Sequence, residues 1–354
     1  MDAPTVETLR RASYLTTPST QLVIRRSATQ ALRRFARLKL VFALTLAALV
    51  LADLACRFVI GLGDPPLYET DPTMQYLLQP SKTYYRFHGK FSVNRYSMRA
   101  DDFPAQKSSP NELRVLVVGD SVVYGGVRVD QHEIATEILK RDLEKSLGRP
   151  IVVANASAKG WGPPSELAYV RKFGIFNADV VILELSSHDY ADVPTLVPVV
   201  GISPDFPNKK PLFALTDLLQ TYLLPRYFQV GAAQVSVDKG FTTKAGSESE
   251  ISECRAAERA FFTFARNRGA KVVLVQHLTQ PELTGAYQPG YYANQAVALE
   301  EHVPYVDDAD ELRDKSKRGE NPFYPGDPIH LNQWGQPVLA HALRQAVNLA
   351  LKAN

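Results

Sequence analysis

Short apolar runs alternate with amphipathic stretches over residues 113–352. Four of these runs are continuous rather than alternating, and they predict strands at Arg114–Val118, Ile151–Ala154, Val180–Leu185 and Lys271–Gln276. The intervening periodicity predicts helices at 131–147, 165–173, 251–268, 292–301 and 334–352, with a further short strand at 303–306. Continuous apolar strands that alternate with helices are typical of a parallel sheet covered on both faces. The pattern therefore predicts an α/β fold over residues 113–354.

Two segments interrupt this alternation. Residues 63–112 are rich in proline, tyrosine and polar residues and have no long periodic stretch, so we expect a linker and an irregular lead-in. Residues 191–250 mix prolines with polar and aromatic residues, and they interrupt the βα alternation. We interpret them as an insertion that serves as a lid or a partner surface.

A different pattern occupies the N-terminal region. Residues 40–52 are apolar and uncharged, and the apolar character continues to Ile60. A helix of this length crosses about 30 Å of hydrocarbon. Residues 1–40 contain eight arginines and lysines against two acidic residues, so they carry a charge of +6 and the rest of the chain carries −3. The positive-inside bias then predicts a cytoplasmic tail at 1–38, a membrane anchor at 39–62 and an extracytoplasmic domain beyond it, periplasmic in a bacterium.

Two alternatives to an anchor are open. A cleaved leader would need an unusually long basic region, and no small-residue cleavage site is obvious. A buried helix of a soluble protein would also be apolar. The composition of the whole chain is that of a folded protein, since 45% of its 354 residues are hydrophobic.

Composition and motifs exclude several classes of function. The two cysteines, Cys56 and Cys254, cannot form a disulfide framework, and no Cys/His cluster suggests zinc. The basic charge lies in the N-terminal tail, so it is poor evidence for nucleic-acid binding. The chain has no Walker motif and no GxGxxG. We therefore expect no metal, no cofactor and no nucleic-acid partner.

Candidate chemistry lies at the carboxyl ends of the predicted strands, where doubly wound sheets bind ligands. Ser121 follows the first strand directly, in Gly119–Gly125 (GDSVVYG). Such a serine, on a tight turn ahead of a helix, can act as a nucleophile when a base is near. Asp327-x-x-His330 supplies an imidazole and a carboxylate that orients it. Ser121 is not in a G-x-S-x-G elbow, which argues against the α/β-hydrolase family.

Three segments, GDSVVYG, NASAKGWG (residues 155–162) and DPIH (residues 327–330), resemble in order and spacing the SGNH (GDSL) hydrolase superfamily. Its members are serine esterases, lipases, carbohydrate deacetylases and some O-acyltransferases. The resemblance implies a flavodoxin-like three-layer α/β/α sandwich. It also implies a reaction that needs no metal, in which Ser121 is the nucleophile, His330 the base and Asp327 its partner. Gly160 would join Ser121 in donating its backbone N–H to the oxyanion.

The sequence departs from the family pattern at one position. His188 stands where the family has an asparagine that is the third oxyanion donor. An imidazole N–H can donate a hydrogen bond, so we expect His188 to take that role. Trp161 and Tyr190 flank the predicted cleft and are candidates for stacking on a sugar ring.

Other polar residues near the strand ends have structural interpretations. We expect Asp120 to bond local backbone amides and His277 to lie in the core or at the rim of the cleft. We expect a solvated loop rather than a cation site at Asp307, Asp308 and Asp310.

The predicted function is a serine-dependent acyl ester hydrolase or O-acyltransferase. Residues 92–103 are similar to the lead-in of anchored SGNH proteins that modify cell-surface polysaccharides, which implies an acylated glycan of the envelope or a secreted glycan as substrate. A membrane partner would then supply the acyl donor. One alternative is a catalytically weak domain that serves as a glycan-binding or assembly subunit. Another is a membrane-tethered, lipase-like enzyme.

Overall fold

The computed structural model describes residues 18–224 and 246–352, with side chains from residue 30 onward. It divides into two compact units, and the second begins at Cys56. The first unit is the helix α1, Pro18–Ala55. Gln30–Ile60 is long and apolar enough to cross a membrane, with a mean hydropathy of 2.2, and none of its most apolar window is buried. That exposure contradicts the alternative of a helix buried in a soluble protein. It agrees with both a membrane anchor and a cleaved leader.

Residues 63–112 are more regular than the sequence predicts. They form two antiparallel hairpins, β1 (Tyr68–Asp71) with β2 (Gln75–Leu78), and β3 (Lys82–Arg86) with β4 (Gly89–Val93). The residues between β3 and β4 both have positive φ, as two-residue turns that match the strand twist require. Each strand is only four or five residues long. Alternation over so few positions is not visible in the sequence.

Five parallel strands form the central sheet of the second unit. They are β5 (Leu113–Gly119), β6 (Ile151–Ser157), β7 (Val180–Ser186), β8 (Lys271–His277) and β9 (Tyr305–Asp307). Their order in the sheet is β6-β5-β7-β8-β9. Every residue of β5 and β7 is buried, because the sheet is covered on both faces. This confirms the predicted parallel sheet.

Helices cover both faces of the sheet. The helices of this unit are, in chain order, α2 (Ser121–Tyr124), α3 (Ala135–Leu147), α4 (Pro163–Phe173), α5 (Ala214–Asp217), α6 (Glu248–Arg266), α7 (Pro289–Glu300), α8 (Ala309–Lys317) and α9 (Gln336–Lys352). Of these, α5 packs away from the sheet, in a separate cluster with Cys56 and Leu62. Apolar residues of α3 and α9 pack on one face of the sheet. Those of α4 and α6 pack on the other. The predicted three-layer α/β/α sandwich is thereby confirmed.

The described part of the insertion packs against the lead-in. Phe206 is buried and lies 4.3 Å from the ring of Tyr76, centroid to centroid. The amide of Tyr68 donates to the carbonyl of Pro207 at 2.9 Å. These contacts seat part of 191–224 on the first hairpin. Residues 225–245 of the insertion lie outside the described residues, and the role of the insertion as a lid or partner surface stays a prediction.

Candidate active site

The predicted site residues lie where the order of the strands reverses. β5 has β6 on one side and β7 on the other, so the loops that follow these strands diverge and leave a crevice at the carboxyl edge. Ser121 follows β5, Gly160 follows β6 and His188 follows β7. The loop at 327–330 precedes α9. Residues far apart in the sequence therefore meet at this edge.

Ser121 is held on a tight turn by the residues around it. The Asp120 carboxylate accepts the amide of Val122 at 2.7 Å, the local bonding that the sequence predicts for it. Gly119 must be glycine, because a Cβ there would lie 2.8 Å from the Val123 side chain and 2.9 Å from a carboxylate oxygen of Glu184. The turn places Ser121 at the first position of α2.

Ser121, His330 and Asp327 form a continuous hydrogen-bonded chain. His330 Nε2 lies 2.9 Å from Ser121 Oγ, and His330 Nδ1 lies 2.8 Å from Asp327 Oδ2. The other carboxylate oxygen of Asp327 accepts the amides of Ile329 and His330, at 3.1 and 3.0 Å. Burial acts to raise the pKa of Asp327, but the hydrogen bond and charge of His330 outweigh it and the net pKa is lowered.

This arrangement orients the imidazole for proton transfer. An ionised Asp327 accepts Nδ1–H, which leaves the Nε2 lone pair to accept the proton of Ser121 Oγ. A hydroxyl aligned in this way is activated as a nucleophile. Ser121 is only 6% exposed, whereas the side chains of His330 and Asp327 are 25% and 30% exposed. His330, the predicted base, therefore reaches solvent, while Ser121, the predicted nucleophile, is shielded.

The backbone amides of Ser121 and Gly160 are the predicted donors to the oxyanion. Gly160 has a φ of +61°, which favours glycine. Within residues 18–224 and 246–352, the amides of Ser121 and Gly160 donate to no other atom. Unpaired amides beside a nucleophile are suited to a developing oxyanion. The oxyanion role of these two amides stays a prediction.

His188 lies between two buried carboxylates. Its Nε2 is 3.3 Å from Asp120 Oδ2 and 3.2 Å from Asp189 Oδ1. Burial acts to lower the pKa of His188, but Asp189 and Asp120 outweigh it and raise that pKa to about 10. Burial likewise acts to raise the pKa of Asp120, but the hydrogen bond and charge of His188 outweigh it and the net pKa is lowered. The pKa of Asp189 is raised, chiefly by burial. Asp120 is thus the ionised partner of a protonated His188.

This pairing limits how His188 can serve an oxyanion. Its Nε2 faces carboxylates, so only Nδ1 is left to donate, and Nδ1 is buried with no hydrogen-bond partner among the described residues. The oxyanion role of His188 stays a prediction, restricted to that atom. Asp120, His188 and Asp189 also place three potential metal-ligand atoms within 4.8 Å of one another. A protonated imidazole already supplies positive charge to the Asp120 carboxylate there.

The structure contradicts the prediction that Trp161 stacks on a sugar ring. Its side chain is 1% exposed and packs against Tyr169, with ring centroids 5.5 Å apart. A buried indole cannot stack on a sugar. Tyr190 is partly buried and lies against the backbone of Gly290, where an added Cβ would be 2.8 Å from its ring. The sugar-stacking role of Tyr190 stays a prediction.

The prediction of a solvated loop is wrong for Asp308. Asp308 is 3% exposed, because its carboxylate lies 2.5 Å from Nδ1 of the fully buried His277. His277 is in the core, one of the two positions expected for it. Asp310, two residues further on, has a fully exposed side chain, as predicted. The burial of Asp308 follows from β9 lying beside β8, the strand of His277, in the sheet.

Comparison with known proteins gives structural likenesses only. No family model and no curated protein matches the chain. The acetyl xylan esterase AlAXEase is 16% identical, with 66% of this chain and 100% of that chain covered and a TM-score of 0.41. A catalytic mutant of the acetylxylan esterase Axe2 from Geobacillus stearothermophilus is 14% identical, with 66% and 94% covered and a TM-score of 0.41. TesA is 18% identical, with 67% and 99% covered and the same TM-score. The function of this chain therefore has to be argued from its own side chains.

Proposed function

We propose that the chain is an SGNH-type serine esterase or O-acyltransferase. The observation that carries the proposal is the hydrogen-bonded chain Ser121–His330–Asp327, with distances of 2.9 and 2.8 Å. The three residues come from the two ends of the βα region, and their order of contact is the one that acyl transfer by serine requires.

In the proposed reaction, Ser121 Oγ attacks the carbonyl carbon of an ester while His330 Nε2 takes its proton. The amides of Ser121 and Gly160 stabilise the tetrahedral oxyanion. His330 then returns the proton to the leaving alcohol, and an acyl-serine forms. A second nucleophile then attacks the acyl carbon while His330 Nε2 takes its proton. The bond between the acyl carbon and Ser121 Oγ breaks, and His330 returns the proton to Oγ, which regenerates the hydroxyl. Water as the second nucleophile gives hydrolysis, and a sugar hydroxyl gives acyl transfer.

The proposed substrate is an acylated glycan of the cell envelope or a secreted glycan. The partial exposure of His330 and Asp327 supports it, because an ester on a polymer can reach the base without entering a deep channel. The resemblance of residues 92–103 to the lead-in of anchored relatives supports it as well. With α1 as anchor and its basic end in the cytoplasm, the catalytic unit would lie outside, supplied by a membrane partner that provides the acyl donor.

The test is covalent labelling of the full chain in detergent with a fluorophosphonate. The probe should attach to Ser121, identified by peptide mass, and prior reaction with p-nitrophenyl acetate should slow the labelling. Faster release of p-nitrophenol on addition of an oligosaccharide acceptor would indicate transfer rather than hydrolysis. Absence of labelling in a folded chain would overturn the serine mechanism.

The pairing of His188 with carboxylates favours a second candidate, a catalytically weak domain that binds glycan. The variant His188→Asn separates the two, because Asn restores the donor of the family pattern but removes the cation beside Asp120. If His188 serves only as an oxyanion donor, His188→Asn keeps both kcat and the melting temperature. We expect instead that both fall, kcat by about 10–100-fold, since Asp120 loses its buried ion partner.

The measurements are the kcat of p-nitrophenyl acetate hydrolysis and thermal unfolding of the same samples. His132→Asn is the matched control, because His132 is exposed. An increase in kcat in His188→Asn would show that His188 weakens catalysis, as the second candidate requires.

A further inference from the structure

Another imidazole–carboxylate pair lies beneath the predicted catalytic loop at 327–330. His277 ends β8 and Asp308 follows β9, and their side chains are fully buried. His277 Nδ1 is 2.5 Å from Asp308 Oδ2, and the amide of Leu278 donates to Asp308 Oδ1 at 3.0 Å. The other ring nitrogen of His277 lies 2.9 Å from the carbonyl oxygen of Ile329. His277 thus joins the end of the sheet to the residue that precedes the catalytic base.

The peptide unit between Ile329 and His330 is held at both ends. Its carbonyl meets His277 Nε2, and its N–H donates to Asp327 Oδ1 at 3.0 Å. The preceding carbonyl, of Pro328, accepts the amide of Gln280 at 2.6 Å. A rotation of this peptide would swing the His330 ring away from Ser121. The contact with His277 therefore fixes the direction in which the base points.

Both ring nitrogens of His277 face acceptors. A neutral imidazole has one N–H, which could serve either the Asp308 carboxylate or the Ile329 carbonyl but not both. With Asp308 ionised, the two contacts require a doubly protonated ring. Burial acts to lower the pKa of His277, but Asp308 outweighs it and the net pKa is raised, with a smaller contribution from Asp120.

The charged groups around this pair come from the neighbouring strands. Asp120, after β5, lies close enough to His277 for its charge to raise the pKa of that imidazole, and Glu184, on β7, lies close enough to Asp308 for their charges to interact. The ring of Phe323 is the uncharged neighbour, with its centroid 6.1 Å from that of His277. Asp308 is the carboxylate that contacts the imidazole directly.

We propose that His277 is a positioning residue whose protonated ring, paired with Asp308, holds the catalytic loop so that His330 points at Ser121. The inference rests on the proposed esterase function. When His277 loses its proton, it keeps the bond to Asp308 and turns a lone pair toward the Ile329 carbonyl. The peptide between Ile329 and His330 then loses one of its two restraints, and kcat falls as the pH rises through the pKa of His277.

The test compares kcat and KM for p-nitrophenyl acetate over pH 6–10 in the full chain and in two variants, His277→Gln and Asp308→Asn. We expect His277→Gln to lower kcat by about 10–100-fold with little change in KM, because a small misplacement of a base has effects of this size. Its kcat should also lose the alkaline decline. Asp308→Asn should shift that decline to lower pH, because the carboxylate that favours the protonated ring is gone.

His341→Gln is the matched control, because His341 also pairs with a carboxylate, Glu311, but its side chain is 54% exposed; it should leave kcat and its pH profile unchanged. The positioning role is wrong if both variants retain the wild-type alkaline profile. Should His277→Gln fail to fold, Asp308→Asn alone decides the matter through its shift. Activity that survives Ser121→Ala would overturn the proposed function instead, whatever the result at His277.

Discussion

Ser121→Ala is expected to lower the kcat for ester hydrolysis by about 10⁴–10⁶-fold, since nucleophile and base act as one unit. The double variant Ser121→Ala/His330→Ala should be no worse than the single one, because the base has no proton to take once the hydroxyl is gone. The measurement is p-nitrophenyl acetate hydrolysis by the full chain in detergent, with thermal unfolding to show that the variants are folded.

Ser146→Ala is the control for this substitution, because Ser146 is exposed on α3 and its hydroxyl donates to the Leu143 carbonyl of the same helix at 3.4 Å. It should retain full activity. Hydrolysis that persists in Ser121→Ala at the wild-type rate would exclude an acyl-serine intermediate.

Asp327→Asn is the second substitution with a large expected effect, a loss of about 10²–10⁴-fold in kcat at neutral pH. An asparagine amide in this place donates to Nδ1 of His330 and so holds the proton on Nε2, where it blocks transfer from Ser121. In the wild type, His330 keeps the pKa of Asp327 below the usual range. Its charge, and the stability that comes with it, is therefore fully present above the ordinary aspartate pKa and is lost only as the pH falls through the lowered value.

The measurement is kcat/KM between pH 5 and 9 for the wild type and Asp327→Asn. Asp310→Asn serves as the surface control, because the Asp310 side chain is fully exposed beside Arg313, and it should change nothing. If Asp327→Asn retains activity within twofold of wild type across this range, Asp327 does not set the tautomer of His330, and another acceptor must do so.

The sheet could be predicted because its strands carry their own signal. The runs within β5 and β7 are continuously apolar, and a short run of this kind between two helices is typical of a strand buried on both faces. The hairpins β1–β4 could not be predicted, because each strand is four or five residues long, too short for alternation to be visible. Their regularity comes from packing on the core rather than from local alternation.

In the candidate site, too, some contacts could be predicted from the sequence and others could not. The contact between Ser121 and His330 follows from motif order, because both lie at the ends of predicted βα units. The burial of Trp161 does not follow, since a residue beside a cleft in sequence can turn either into the cleft or into the core. The pairing of His277 with Asp308 depends on β8 and β9 being neighbours, and a single sequence does not specify that order.

The separation of 209 residues between Ser121 and His330 has a consequence for the order of events during synthesis of the chain. A chain is made from its N-terminus, so the nucleophile emerges long before its base. Contacts of such long range form late in folding. Under the proposed function, a chain whose loop at 327–330 has not yet emerged holds Ser121 without its base, and it should not react with esters. Ester hydrolysis or acyl transfer would begin only when that loop has docked, so the onset of activity would report that the fold is complete.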